Sequence, residues 1–224
     1  MTAGLRPDTR FVPVKSAYQL ELQAIHRVRT RLVKERTAVA NEIRGVLYEH
    51  GIVIKKGIHC LKSDLPNILA DLENSLLSEI AADLFSEFQE KDLKVKKYEA
   101  LMMRESKKNE VIKRLQTIPG IGPISASAIV AEAHPGEFKN GRQFAAFLGL
   151  VPRHSGSGGI NVNHSISKRG DTYLRTLLIH GARSVMRFTA KRDDKVSLWC
   201  ESLRKRRGNN KAIVALANLS LIHI

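Results

Sequence analysis

Cysteine is nearly missing from this chain: Cys60 and Cys200 are the only two among 224 residues. They lie far apart and outside any Cys-x-x-Cys spacing, which excludes a disulfide framework and gives no zinc-site pattern. The default for such a chain is a reducing, cytoplasmic compartment. No apolar run approaches the roughly 18 residues a membrane helix needs, and no signal-peptide pattern is present, so no membrane partner is expected. Alternating apolar and polar residues are almost absent too, so strand content should be low. The last shortage is local. Residues 139–211 hold 4 Asp and Glu against 16 Lys and Arg, whereas residues 1–138 hold 18 against 21.

What is there follows from that imbalance. The net charge of +15 sits mostly in the second half, and it suits a polyanionic partner, a nucleic acid rather than a membrane surface. With 43% apolar residues the chain has enough hydrophobic material for a core in one or two domains.

Helical periodicity starts at Ser16, a plausible N-cap. Ile25, Val28, Leu32, Val39, Ile43 and Val46 recur at intervals of three, four and seven, a coiled-coil-like seam. Arg27, Arg29, Arg31, Lys34 and Arg36 lie between them, either as solvated helix charges or as nucleic-acid contacts. Gly51 ends that helix. Ser63-Asp64-Leu65-Pro66 is a start signal for a second helical region that reaches about Leu115, with a break near Asn74-Ser75. Glu87, Glu90, Lys91, Asp92, Lys94 and Lys96 mix both signs, as on an exposed helix face. Residues 16–112 therefore read as an antiparallel helical hairpin that packs on itself or pairs with a second copy.

Ile118-Pro119-Gly120-Ile121-Gly122-Pro123 lies between two apolar helical runs and resembles the helix-hairpin-helix DNA-binding module. Gly120 and Gly122 would let backbone N–H groups approach a phosphate, positioning the nucleic acid without reading its bases; an ordinary helical corner is the plainer alternative. A short helix closes on Gly149, and Val151-Pro152-Arg153 leads into Ser155-Gly156-Ser157-Gly158-Gly159. Composition alone makes that segment a flexible linker. Beyond it, Lys168, Arg169, Arg175 and Arg183 are candidates for phosphate oxygens. Asp171 reads as a helix cap, and Arg204-Lys205-Arg206-Arg207 suits both a helix C-terminus and a nucleic-acid backbone.

Several blocks together resemble the C-terminal domain of the insertion-sequence one-ten family of transposases. They are Ile118 to Pro123, Arg142-Gln-Phe-Ala-Ala146, Leu148-Gly-Leu-Val-Pro152, Ser157-Gly-Gly159, Ile166-Ser-Lys-Arg-Gly-Asp171, Tyr173 to Leu178, His180-Gly-Ala-Arg183 and Val214-Ala-Leu-Ala-Asn218. Val12-Pro-Val-Lys15 and His26-Arg-Val-Arg29 match the family's linker. The resemblance implies a recombinase in two parts. A RuvC-like domain holds Mg²⁺ on acidic residues, a C-terminal domain supplies a serine that attacks a DNA phosphodiester, and a structured guide RNA directs both. By alignment the nucleophile is Ser157; Gly120, Gly122, Arg142, Arg153, Lys168, Arg169, Arg175 and Arg183 are the candidate nucleic-acid contacts.

The family's carboxylates fall upstream of Met1, and the sequence from Leu219 to Ile224 departs from the family's basic, aromatic continuation. This chain is therefore expected to be an incomplete copy, inactive alone, with no metal ligands and no cofactor of its own, Mg²⁺ arriving only with the RuvC-like part. Residues 1–15 would be the residual end of that part, 16–112 the coiled-coil-like region, and 113–224 the C-terminal transposase domain. The expected fold is all-α: a long helical hairpin, then a compact helical domain with a helix-hairpin-helix element. Expected partners are DNA, a structured guide RNA and a second copy of the chain, paired through the long helices. The rival reading is a non-catalytic DNA- or RNA-binding protein, which would have no need of Ser157.

Overall fold

The computed structural model describes residues 13–72, 75–133, 138–157 and 159–222. Met1 to Val12, Asn74, Gly158 and the final His223-Ile224 lie outside them. Nine α-helices are described: α1 Ala17–Glu49, α2 Ile58–Asp71, α3 Leu76–Lys108, α4 Glu110–Leu115, α5 Pro123–Glu132, α6 Gly141–Phe147, α7 Thr172–Met186, α8 Lys195–Arg207 and α9 Asn209–Ile222. Two strands, β1 Pro152–Ser157 and β2 Ile160–Ile166, pair antiparallel between α6 and α7. The fold is thus almost wholly helical, and the Ser-Gly segment that composition assigns to a linker forms its one described hairpin. Residues 1–23 and 102–224 make one compact unit and residues 24–101 a second.

In the second unit, α1 begins and ends as its sequence dictates. Ser16 and Gln19 form a reciprocal capping box just upstream, in the other unit: the Gln19 N–H donates to Ser16 Oγ at 3.2 Å and the Ser16 N–H to Gln19 Oε1 at 3.0 Å. At the far end the Ile52 N–H reaches Leu47 O at 3.0 Å, the wrap that closes a helix after a glycine. The core of this unit joins Val39, Ala40, Ile43 and Leu47 of α1 to Leu61 and Leu65 of α2 and to Ala81 and Phe88 of α3. Part of the seam expected to meet a second copy is therefore covered within the chain.

Three sequence expectations change here. The second helix starts at Ile58, ahead of the Ser63 signal, and Pro66 lies inside it. An interior proline costs about 3 kcal/mol, but Leu61 and Leu65, one turn apart and both fully buried, each return about 1.5–3 kcal/mol. The chain does break where expected, with Ser75 Oγ accepting the Ser78 N–H ahead of α3. Asp92 is not on an exposed face. It is buried and accepts from Arg36 at 2.7 Å and from Lys62 at 2.5 Å, with Lys96 at 3.3 Å. The basic face of α1 is correspondingly reduced, because Arg36 serves Asp92 and Arg29 pairs with Glu99 at 2.6 Å.

Burial pushes the Asp92 carboxyl up, but hydrogen bonds from Lys62, Arg36 and Lys96 outweigh it and hold the group at about 2. His26 goes the other way from its ordinary value. Burial, reinforced by the charge of Arg29, lowers it to about 4. Neutral His26 is favoured in the fold while the unfolded chain protonates near 6.5, so the stability it contributes is complete above pH 6.5 and drains as pH falls toward 4. The contribution of Asp92 is lost only lower, as pH falls from 3.8 toward 2. Denaturant titrations between pH 7 and 4 should show stability falling by about 3 kcal/mol at most. His26→Gln should flatten that slope, whereas an unchanged slope would assign it to other groups.

The first unit packs around α9, which touches α6, α7 and α8 and buries Ala212, Ile213, Leu216, Ala217 and Leu221. α4 packs on α5 and α5 on α7. The start of the chain is fastened to the end of α5: Lys15 Nζ lies 2.6 Å from Glu132, the Gln23 amide donates to Glu132 at 2.6 Å, and Gln19 donates to Val130 O at 3.0 Å.

Candidate functional site

The site is built where two stretches of backbone cross. α6 carries its cap on Asn140, whose side chain accepts the Gln143 N–H at 3.0 Å, and it buries Phe144 and Ala145. It ends on Gly149 at φ 69°, with the Leu150 N–H returning to Ala145 O at 2.9 Å. The segment after β2 runs against that ending. A Cβ on Gly149 would stand 2.1 Å from Arg169 O, and one on Gly170, at φ 89°, would stand 1.9 Å from Phe147 O. No side chain fits either place. Lys168 completes the turn at φ 55°, a conformation that non-glycine residues adopt at a cost.

Each carbonyl from Leu148 to Val151 is met. Arg175 Nη1 donates to Leu148 O at 3.0 Å, the Lys168 N–H to Gly149 O at 3.1 Å, Asn218 Nδ2 to Leu150 O at 3.2 Å, and the Ser167 N–H to Val151 O at 2.8 Å. Arg175 also reaches Arg169 O at 3.4 Å and Thr172 Oγ1 at 3.1 Å. From this root the hairpin projects. Pro152 pairs with Ile166, His154 with Asn163, Ser155 with Val162, Gly156 with Asn161 and Ser157 with Ile160. The register shifts between Pro152 and His154, so His164 and Ser165 together face Arg153. Ser155 Oγ and His164 Nε2 are 2.6 Å apart.

The cations around this root have few carboxylates to meet. Among the described residues the one ion pair within 139–211 joins Arg204 to Glu201 at 2.6 Å. Arg142, Arg153, Lys168, Arg169 and Arg183 are all exposed, and Arg183 lies 3.4 Å from His180 Nδ1. Such unmatched positive charge on one segment is the electrostatic footprint of a polyanion site.

A family model described as Transposase IS116/IS110/IS902 family matches residues 112–197, the span from α4 through the hairpin and α7 into α8. A probable family 20 transposase of Pseudomonas aeruginosa is 45% identical over 221 residues, covering 96% of this chain and 65% of that protein. The transposase of insertion sequence element IS1111A from Coxiella burnetii is 42% identical, with 96% of this chain and 60% of its own length covered.

The chain belongs to the IS116/IS110/IS902 transposase family.

A further member, the transposase of insertion sequence element IS1328 from Yersinia enterocolitica, is 33% identical over 225 residues. The chain spans less than two thirds of the length of the Pseudomonas and Coxiella transposases.

Within this family member the expected site residues separate into two groups. Arg153, Lys168, Arg169 and the serine at 157 are gathered on the hairpin and its root. Arg175, expected on a phosphate, is 8% exposed and its guanidinium is occupied by carbonyl oxygens and Thr172. Its stripe on α7 faces the core between Leu174 and Leu178, and periodicity alone places it there. Gly120 is similarly engaged, since its carbonyl lies where a Cβ on Gly181 of α7 would sit, at 1.9 Å. Gly122 caps α5 with open space around it. Asp171 caps α7 by accepting the Leu174 N–H at 2.5 Å. The pairing of Ser155 with His164 is invisible to sequence spacing because they are nine positions apart; only the strand register brings them together. Among the described residues no cluster of three or more His, Cys, Asp or Glu side chains forms that could hold a metal ion, and no helix is long and apolar enough to cross a membrane.

If Arg175 is a clamp, Arg175→Met should destabilise the chain by about 2 kcal/mol, the cost of leaving buried carbonyls without a charged donor. Denaturant unfolding read by circular dichroism measures this. A stability within 0.5 kcal/mol of the parent, roughly the range of an ordinary surface substitution, would count against the clamp.

Proposed function

We propose that this chain acts in the transposition of an insertion sequence, binding DNA through the cationic surface of residues 139–211 and presenting a serine of the β-hairpin to a DNA phosphodiester. The observation that carries the reading is the hairpin itself. A Ser-Gly segment that could have been a loose linker is rooted on four satisfied carbonyls and a glycine crossing, beside exposed Arg153, Lys168 and Arg169. Rigid support under the reacting group is what a displacement at phosphorus requires. Arginine forks there would hold the phosphate oxygens while a serine oxygen forms a bond to phosphorus and the deoxyribose oxygen leaves. The resulting phosphoserine link keeps the bond energy for rejoining. The family resemblance assigns the attack to Ser157.

The open Gly122 end of α5 supports a helix-hairpin-helix contact to backbone phosphates. A structured guide RNA is a second polyanion that the same surface suits, and Mg²⁺ enters only through a RuvC-like domain acting with this chain. Pairing of two copies belongs to the reading as well, since Leu76, Ile80 and Leu93 of α3 leave apolar side chains exposed.

The test is covalent trapping on a nicked DNA substrate with guide RNA, Mg²⁺ and a separately expressed RuvC-like domain, using an intact relative as the positive control. A protein–DNA adduct is expected and should vanish when Ser155 and Ser157 are both changed to alanine. An adduct that survives the double change, or none when the relative gives one, would leave the chain as a nucleic-acid binder. In parallel, Lys168→Ala and Arg169→Ala should each reduce the slope of log affinity against log salt by about 1.

A further inference from the structure

Helix α8 carries apolar side chains on the face that meets solvent. Its inner face is made of small residues, Ser197 and Cys200, which are buried where α8 packs on α9. On the opposite side Lys195, Leu198, Trp199, Ser202, Lys205 and Arg206 recur at spacings of one turn and are all exposed, so they form a single stripe about 16 Å long. Trp199, the only tryptophan of the chain, is 38% exposed and Leu198 is 55% exposed. No hydrogen bond or ring contact engages the indole among the described residues. A large aromatic left open in this way is informative. The acids of the helix and its cap are already committed. Glu201, the only acid of α8, meets Thr189 Oγ1 at 2.6 Å and Arg204 at 2.6 Å, and Asp194 caps the helix by accepting from the Val196 and Ser197 N–H groups at 3.1 and 3.0 Å. The charges of Lys195, Lys205 and Arg206 therefore remain for an anion from outside.

We propose that the outer face of α8 is a binding site for single-stranded DNA, with Trp199 as the platform on which an unpaired base stacks and with Lys195, Lys205 and Arg206 on the flanking phosphates. An indole offers its flat face to any base, so the contact tolerates every sequence. Only a base whose own face is open can take it, and in a duplex the neighbouring base pairs occupy that face. The site therefore favours open strands over paired ones. Cations about one turn before the indole and about two turns after it let a backbone pass along the stripe while a base folds onto the ring. The lysines beside the tryptophan separate this face from a protein interface, whose core is depleted of lysine. DNA is the polymer on which the proposed transposition acts. The inference rests on that reading and adds to it a contact, on a different element from the hairpin, that holds a strand by its base.

Because Trp199 is the sole tryptophan, its fluorescence reports the contact directly in the full chain. A short oligothymidylate should quench it saturably, an abasic oligomer of equal length should bind without quenching, and a duplex of that length should leave it nearly unchanged. Trp199→Ala should weaken oligothymidylate binding by about 5-fold or more, with no change in duplex affinity or in the salt slope, and Trp199→Phe should keep most of the affinity. Lys205→Ala and Arg206→Ala should each lower the single-strand salt slope by about 0.7. These positions are exposed, and circular dichroism checks that the variants keep the fold. Equal quenching by the abasic oligomer, or oligothymidylate bound without quenching, would overturn the stacking site and leave the cationic surface of the proposed function standing. Failure of every oligomer and duplex to bind would overturn both. Tighter binding and stronger quenching by oligouridylate would give the face to RNA. In place of quenching by DNA, an emission change with protein concentration alone would give it to a second copy, and a blue shift on anionic phospholipid vesicles to a membrane surface. Each of these three results overturns the assignment to single-stranded DNA.

Discussion

Four consecutive carbonyls, from Leu148 to Val151, govern the architecture around the β-hairpin of this chain. Left unpaired in a packed interior, each would cost about 1–3 kcal/mol, so the strand that leads into the hairpin can follow this path only if donors are supplied from elsewhere. They come from three directions: the buried guanidinium of Arg175 on α7, the amide of Asn218 on α9, and the backbone N–H groups of Ser167 and Lys168. One segment thereby joins the helix before the hairpin, the turn after it and the two helices beneath it. The glycines at 149 and 170 exist for the same reason, since the crossing brings main chain onto main chain without room for a Cβ.

That constraint explains why a short β-hairpin persists in an otherwise helical molecule. An isolated two-stranded hairpin is marginal in water, and this one offers little apolar surface of its own. Its stability is borrowed from the root, where Pro152 pairs with Ile166 and the Ser167 N–H meets Val151 O. Farther out the ribbon carries exposed His154, Ser155, Gly156 and His164. Hydrogen bonding at the base and exposed polar side chains farther along leave those side chains facing solvent on a fixed support.

Much of this was legible from the chain alone, and the limits have physical causes. The helices, the break before α3, the closures at Gly51 and Gly149 and the caps at Ser16 and Asp171 are local, and local chemistry reports them. The hairpin was not legible, because Arg153 to Ser157 has no alternation of apolar and polar residues; its register is set by the crossing below it. The burial of Arg175 escapes the sequence for a related reason. Composition marks an arginine as a surface group, and only its place between Leu174 and Leu178 on α7 reveals that it faces inward. Pro66 shows the converse error, a local start signal overridden by the burial of Leu61 and Leu65 in a helix that already begins at Ile58. The partnership of Ser155 with His164 depends on the bulge, and no spacing rule anticipates a bulge.

Charge completes the account, and its distribution matters more than its sum. In residues 24–101 several cations are answered across helices: Arg29 by Glu99, Arg36 and Lys62 by Asp92, Lys91 by Glu35. Those arginines and lysines hold helices together. In residues 139–211 the scarcity of Asp and Glu leaves the cations without such partners, apart from Arg204 among the described residues, so their field extends into solvent over roughly a Debye length. The same residue types thus have different consequences in the two halves. Where carboxylates are present the charges are structural, and where they are withheld the charges remain available to an anion that comes from outside, at the place where the hairpin serines are held.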